Sequence, residues 1–290
     1  MNGPADRPLD LPLGGLLASS EVPGLELRPG AGRPLAPDAP AVVILTALNA
    51  EYRAVRALLH DRVVERHATG TVFEVGRFRE VGLRVVTAVA GEGTLNAAVV
   101  TERAVRHWRP EAVLYVGVAG GLKDDIGLGD VVVGTKIYAP HGGKEQRDAF
   151  LARPQAWEAS HDLTQIARLV EYGRPWTDLL DEPPETVPAV HFKPIVAGDV
   201  VLNSRTSPLA RQLHGTYNDA AAIEMESAGS AKAAQMNHGC RTLTVRGISD
   251  HADGEKTAAD AAGSQPRAAA HAAAFALALV AEMAAIGLGG

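Results

Sequence analysis

AVVILTA, residues 41–47, is apolar and largely β-branched, and residues 51–59 follow it with apolar side chains at helical spacing. A continuous apolar run of this length reads as a strand buried on both faces, and a helix directly after it begins an α/β unit. The same alternation continues outward. Strands are predicted over 83–90 (LRVVTAVA), 112–116, 130–135 (DVVVGT), 195–202, 220–225 and 242–248, with helices over 95–107 and about 227–236. Buried strands interleaved with helices predict one sheet covered on both faces, a three-layer α/β/α domain over 41–290. Residues 139–193 hold one predicted helix, near 163–172, and the Pro-rich stretch 181–188, so they read as an insertion. The last segment, 268–290, is mostly alanine and carries His271 and Glu282, which suits a packed terminal helix better than a membrane span.

Residues 1–40 contrast with this pattern. They hold eight of the 18 prolines and six of the 30 glycines, and neither a helical nor a strand period persists, so a disordered tail is expected. No basic patch followed by an apolar run marks a secretory signal, which predicts a cytoplasmic protein. Composition narrows the function classes. At 46% apolar and 21% charged residues the chain can bury a sizeable core. With 28 basic against 34 acidic side chains, a formal net charge of -6, a broad grip on nucleic acid or an anionic membrane is disfavoured. A small-molecule partner fits better. The single Cys240 forms no internal disulfide and belongs to no CxxC pair.

Several motifs compete for the chemistry. Gly117, Gly120 and Gly121 follow a strand, but LKDDIGLG (122–129) and another strand come next, so the helix N-terminus of a dinucleotide or phosphate loop is missing. A close approach of backbone to a flat ligand or a neighbouring strand is the favoured reading of these glycines. Asp250, His251, Asp253 and Glu255 lack any recognised metal-ligand spacing, and no metal or cofactor is expected. No GxSxG elbow is present, which leaves acyl chemistry unsupported. Glu224 and Glu226 flank Met225 at a strand end, either as the start of a helix or as partners for a ligand. Because ligands of open α/β sheets bind at the carboxyl ends of strands, Glu51, the glycine turn, Glu226 and the Arg246–Asp250 segment are expected to meet in one crevice.

These residues resemble the nucleoside phosphorylase and nucleosidase superfamily, and most closely its hydrolytic branch, the 5'-methylthioadenosine/S-adenosylhomocysteine nucleosidases. The resemblance is carried in family order by VVILTALNAEYRAV (42–55), GEGTLNAA (91–98), VGVAGGLKDDIGLGDVVVGT (116–135), PIVAGDVVL (194–202), AIEMESA (222–228) and VRGISDHADG (245–254). It implies a central mixed sheet and cleavage of the bond between ribose C1' and a purine nitrogen, releasing adenine from a 5'-substituted adenosine. By that resemblance Asp250 protonates the purine N7, Glu51 activates the attacking water and Arg246 helps hold it. Glu226 would accept from the ribose hydroxyls, with Met225 against the sugar face and Glu224 beside them. Ser249 would orient Asp250, Ala119 and Gly120 would lie along the purine, and the backbone of Val201 and Leu202 would read its edge. A homodimer, with a neighbour closing the 5' side, is also implied.

The hydrolytic assignment rests on two features: the turn carries no arginine and the first loop offers Glu51, so phosphate has no obvious seat. Val118 stands where the nucleosidases usually have serine, and Val201 where they usually have an aromatic residue. His141, Lys144, Arg147, Arg153 and Lys193 in or beside the insertion read either as a solvated basic face or as cations for a 5' phosphate, which would make AMP or ATP the substrate. A true phosphorylase and a non-catalytic nucleoside sensor are the remaining alternatives.

Overall fold

The computed structural model describes residues 39–79, 81–147, 150–181, 183–184, 186–237 and 239–287. The expected N-terminal tail, except its last two residues, lies outside them. The chain opens with β1 (Ala41–Thr46), α1 (Asn49–Ala57), the hairpin β2 (His60–Arg66) and β3 (Val72–Arg77), then β4 (Arg84–Val89) and α2 (Thr94–Trp108). It continues through β5 (Ala112–Gly121), β6 (Val131–Ala139), the small hairpin β7 (Gly143–Glu145) and β8 (Phe150–Ala152), β9 (Gln155–Glu158) and α3 (His161–Gly173). The last third holds β10 (Val190–Ala197), α4 (Pro208–Thr216), β11 (Ala222–Glu224), α5 (Ser227–Met236), β12 (Thr242–Asp250), α6 (Lys256–Ala261) and α7 (Ser264–Ala285).

All six residues of β1 are buried, as its unbroken apolar run requires, and the strand pairs in parallel with β4 and β5. The full order is β11, β10, β6, β12, β5, β1, β4, β3, β2, with β9 beside β6. Parallel and antiparallel pairings coexist, so the sheet is mixed. β11 also returns to the end of β5, with Ala222 opposite Gly121 and Ile223 opposite Gly120. That pairing closes β5, β12, β6, β10 and β11 into a ring and gathers the ends of β5, β11 and β12. Helices α1, α3 and α7 cover one face and α2 with α5 the other, completing three layers. The 22 residues of α7 span about 33 Å. Although long and apolar enough to cross a membrane, α7 is largely buried and packs on β12 and β5.

Two expectations are corrected. Residues 117–121 are not a turn but the second half of β5, because they pair with β12 on one side and β11 on the other. The strand expected over 195–202 begins earlier and stops at Ala197, where the chain leaves the ladder and Asp199 Oδ1 accepts from the backbone N–H of Thr94 at 2.8 Å. Val201 and Leu202 therefore lie on a loop. Hairpin β2–β3 was not foreseen, since HDRVVER has neither a clean alternation nor a buried face.

Candidate active site

Glu51 enters the site from the first turn of α1. Its Oε2 accepts from the backbone N–H groups of Ala47 and Leu48, each at 2.8 Å, so the residue caps its own helix. Its Oε1 accepts from Val118 N at 2.8 Å and lies 3.7 Å from Arg246 Nη1. Gly117 makes this approach possible: a Cβ there would stand 2.3 Å from both Glu51 Oε1 and Arg246 Nη1.

Arg246, on β12, has no exposed surface, and its guanidinium lies 5.1 Å above the Tyr115 ring. A buried guanidinium requires nearby anions. Arg246 ion-pairs with Glu224 and stands 3.4 Å from Glu226 Oε2. Glu224 also accepts from the N–H groups of Glu226 at 3.0 Å and Ser227 at 3.1 Å and from the Ser227 hydroxyl, satisfying the start of α5. With both oxygens so engaged, Glu224 holds Arg246 and the helix end in place. Glu226 opens α5 and turns the other way, its Oε1 accepting from Gly93 N at 3.1 Å. Both readings of the Glu-Met-Glu segment thus meet: the pair starts a helix and also faces a cavity.

Burial pushes the Glu51 carboxyl above its ordinary value, opposed by the charge of Arg246 and by the N–H groups of Leu48, Val118 and Ala47. Burial likewise pushes Glu226 up to about 7; Arg246 opposes the shift and Glu224 adds to it. Glu51 and Glu226 therefore both hold a proton more readily than free carboxyls do.

Asp250 ends β12. Its Oδ1 accepts from Ala252 N at 2.9 Å, and its Oδ2 from the Ser249 hydroxyl at 3.0 Å and the Lys256 ammonium at 3.1 Å. Gly120 lies directly beside it, where a Cβ would come within 3.0 Å of Oδ1.

A cavity of about 160 Å³ joins these groups, lined by Glu51, Ala119, Gly120, Val201, Leu202, Met225, Glu226, Ser249 and Asp250. Val118, Glu224, Glu92, Lys256 and Gln265 border it too. Arg246 supports the acids from behind without lining the space. Of two larger clefts elsewhere, one carries Glu111 and the other Asp130 and Asp181, against five acids here. Of the insertion's cations, Lys144, Arg147, Arg153 and Lys193 are exposed and line no part of the cavity, and His141, which lies against Gly198, does not line it either. Sequence reasoning missed Lys256, which follows Asp250 by six residues just past the Asp250, His251, Asp253, Glu255 cluster, and Gln265 at the start of α7. Among the described residues no cluster of metal-ligating side chains occurs.

The sequence profile of the Phosphorylase superfamily matches residues 41–281, and the chain belongs to that superfamily. Its enzyme class is the N-glycosyl hydrolases, in keeping with the nucleosidases it is similar to. A 5'-methylthioadenosine/S-adenosylhomocysteine nucleosidase from Exiguobacterium sp. is 29% identical over 222 residues, covering 74% of this chain and 86% of the relative. ATP nucleosidase Cap17 from Escherichia coli is 24% identical over 241 residues, 75% of this chain but 47% of that protein. Among solved structures, the Neisseria meningitidis 5'-methylthioadenosine/S-adenosylhomocysteine nucleosidase in complex with methylthio-immucillin-A shares the fold, with a TM-score of 0.69 and 23% identity over 83% of this chain and 98% of that one. Futalosine hydrolase of Helicobacter pylori does so with a TM-score of 0.69 and 22% identity over 83% and 97%.

Proposed function

We propose that the chain hydrolyses the N-ribosidic bond of a 5'-substituted adenosine of the methylthioadenosine or S-adenosylhomocysteine type, releasing adenine. The observation that carries this reading is the convergence of Glu51, Glu226 and Asp250, from three distant parts of the chain, on one cavity. As the C1'–N9 bond breaks, its electron pair passes to the purine, and Asp250 delivers a proton to N7. Water attacks C1' as Glu51 takes one of its protons, a role suited to a carboxylate whose affinity for protons is raised by burial. Glu226 accepts from the ribose hydroxyls, a bond that strengthens as positive charge develops on the ring. Met225 packs on the sugar, Ala119 and Gly120 on the base, and the loop of Val201 and Leu202 reads the base edge. Ser249 orients Asp250; Arg246 holds Glu51 and Glu226 in register. A cytoplasmic homodimer is the proposed setting.

A second reading is N-glycosidic cleavage of a 5'-phosphorylated purine nucleotide, supported by the similarity to an ATP nucleosidase over 75% of the chain. The exposed cations of the insertion lend it no direct help within one chain, since none lines the cavity. Incubation of the purified protein with methylthioadenosine, S-adenosylhomocysteine, AMP and ATP, with chromatographic detection of adenine, separates the readings. Adenine from methylthioadenosine and not from the nucleotides supports the first. The reverse result replaces it with the second, and unchanged ligand in every case overturns both in favour of a binding module.

A further inference from the structure

Lys256 is the one cation lining the cavity among the described residues, and it is bound to the side chain that the proposed reaction uses as its acid. Its Nζ lies 3.1 Å from Asp250 Oδ2 and 3.6 Å from Asp260 Oδ2. The Lys256 side chain is 30% exposed while that of Asp250 is 6% exposed, so the ammonium stands at the rim and the acid below it. Three donors surround the Asp250 carboxyl, one of them cationic: Oδ1 accepts from one and Oδ2 from two. Oδ2, with both acceptor positions taken by Ser249 and Lys256, can donate to N7 only when one of those two partners leaves. The Ser249 hydroxyl, buried at the strand end, cannot move out toward solvent. Lys256 can, because an ammonium on a four-carbon stem swings readily and already has a second anion, Asp260, within reach.

The place to which it swings follows from the substrate's own shape. In an anti purine nucleoside the N7–C8 edge lies on the same side of the glycosidic bond as C5', so a cation beside an acid at N7 faces the 5' substituent. The cavity is smaller than the ~300 Å³ at the low end of small-molecule sites, so the 5' group must project past the rim where Lys256 stands. Glu51, Glu92, Glu224, Glu226 and Asp250 all border the cavity, and an anionic substituent would be repelled without a compensating charge.

We infer that Lys256 is a specificity-determining residue: it neutralises Asp250 in the empty site and transfers its charge to an anionic group, phosphate or carboxylate, on the 5' side of the substrate. Asp250 Oδ2 is thereby freed of the ammonium in complexes that carry that group. This rests on the adenine-releasing reaction proposed above and refines its substrate class.

The test compares wild type, Lys256→Met and Lys256→Arg on methylthioadenosine, with a neutral 5' group, S-adenosylhomocysteine, with a carboxylate, and AMP, with a phosphate, reading kcat and KM from adenine release. Lys256→Met should lower kcat/KM for AMP and for S-adenosylhomocysteine, whose zwitterionic 5' group presents a carboxylate, by about ten- to a hundredfold, the range of a lost charge-assisted hydrogen bond. The same variant should raise kcat for methylthioadenosine a few-fold, since Asp250 no longer faces an ammonium; Lys256→Arg should keep most of the anionic activity. Loss confined to AMP identifies phosphate as the group read, and loss confined to S-adenosylhomocysteine identifies carboxylate. Equal loss on all three substrates would mean a structural role and overturn the inference, as would wild-type cleavage of methylthioadenosine alone. Absence of adenine from every substrate with the wild-type enzyme refutes the reaction itself, a separate result.

Discussion

Arg246 shows how little freedom the site leaves to a single side chain. It has no exposed surface and compensates Glu51, Glu224 and Glu226 at once. Replacing it by Met leaves buried carboxylates unpaired, and the expected loss is about 3–5 kcal/mol of folding stability, read from urea denaturation. Asp250 lies at the other extreme. Asp250→Asn keeps the shape and the acceptor oxygen, so folding and ligand affinity should be largely retained while turnover falls about 10²- to 10⁴-fold, the usual contribution of general acid catalysis. Near-normal turnover in that variant would remove Asp250 from the chemistry. Glu226 adds a pH signature. Its folded value of about 7 lies above the ordinary 4.5, so its contribution to stability is full below about 4.5 and is lost as pH rises through about 7. Denaturant midpoints of wild type and Glu226→Gln should therefore diverge across that window, with wild type losing stability relative to the variant, and run parallel above it.

At the level of elements, the pairing of α2 with α5 fixes Glu226 against Gly93. The two helices approach so closely that a Cβ on Gly229 would lie 1.9 Å from the carbonyl oxygen of Thr94, and Thr101 Oγ1 donates to Ser230 Oγ at 3.0 Å across the contact. Gly229→Ala should cost about 1–3 kcal/mol through overpacking and should impair turnover as well, because Thr94 and Gly93 carry the contacts to Met225 and Glu226. Gly215→Ala in α4 is the opposite case. A Cβ there meets nothing within 4 Å, and the exchange should stabilise the helix by about 0.5–1 kcal/mol, both variants being read from urea denaturation. Sequence pattern revealed most of these elements: α5 was expected over about 227–236 and is Ser227–Met236. It failed where tertiary pairing overrides local signal. Residues 117–121 look like a turn because of their glycines, yet those glycines let β5 continue past Glu51, Arg246 and Asp250 and accept β11 as a second neighbour.

For the whole molecule, the ring formed by β5, β12, β6, β10 and β11 explains how residues separated by up to about two hundred positions share one cavity. Strand-end placement made Glu51, Glu226 and Asp250 readable from sequence. Lys256 was not, because its role depends on how the segment after β12 folds back toward the acid, and no periodic pattern encodes that. The same view of the charges bears on phosphate as a co-substrate. A phosphorylase must bind an anion beside C1' with charge-assisted donors. Here the side of the cavity proposed for the sugar presents Glu51, Glu224 and Glu226, the one guanidinium beside them among the described residues is already engaged by those acids, and Lys256 stands on the Asp250 side of the cavity. Adenine release should consequently proceed at the same rate in phosphate-free buffer as in millimolar phosphate, with a free reducing sugar rather than a sugar 1-phosphate as the second product. Quantifying both products by chromatography, with the phosphate concentration varied at fixed nucleoside, decides the point: a rate that rises and saturates with phosphate would place an anion where this arrangement of carboxylates forbids one.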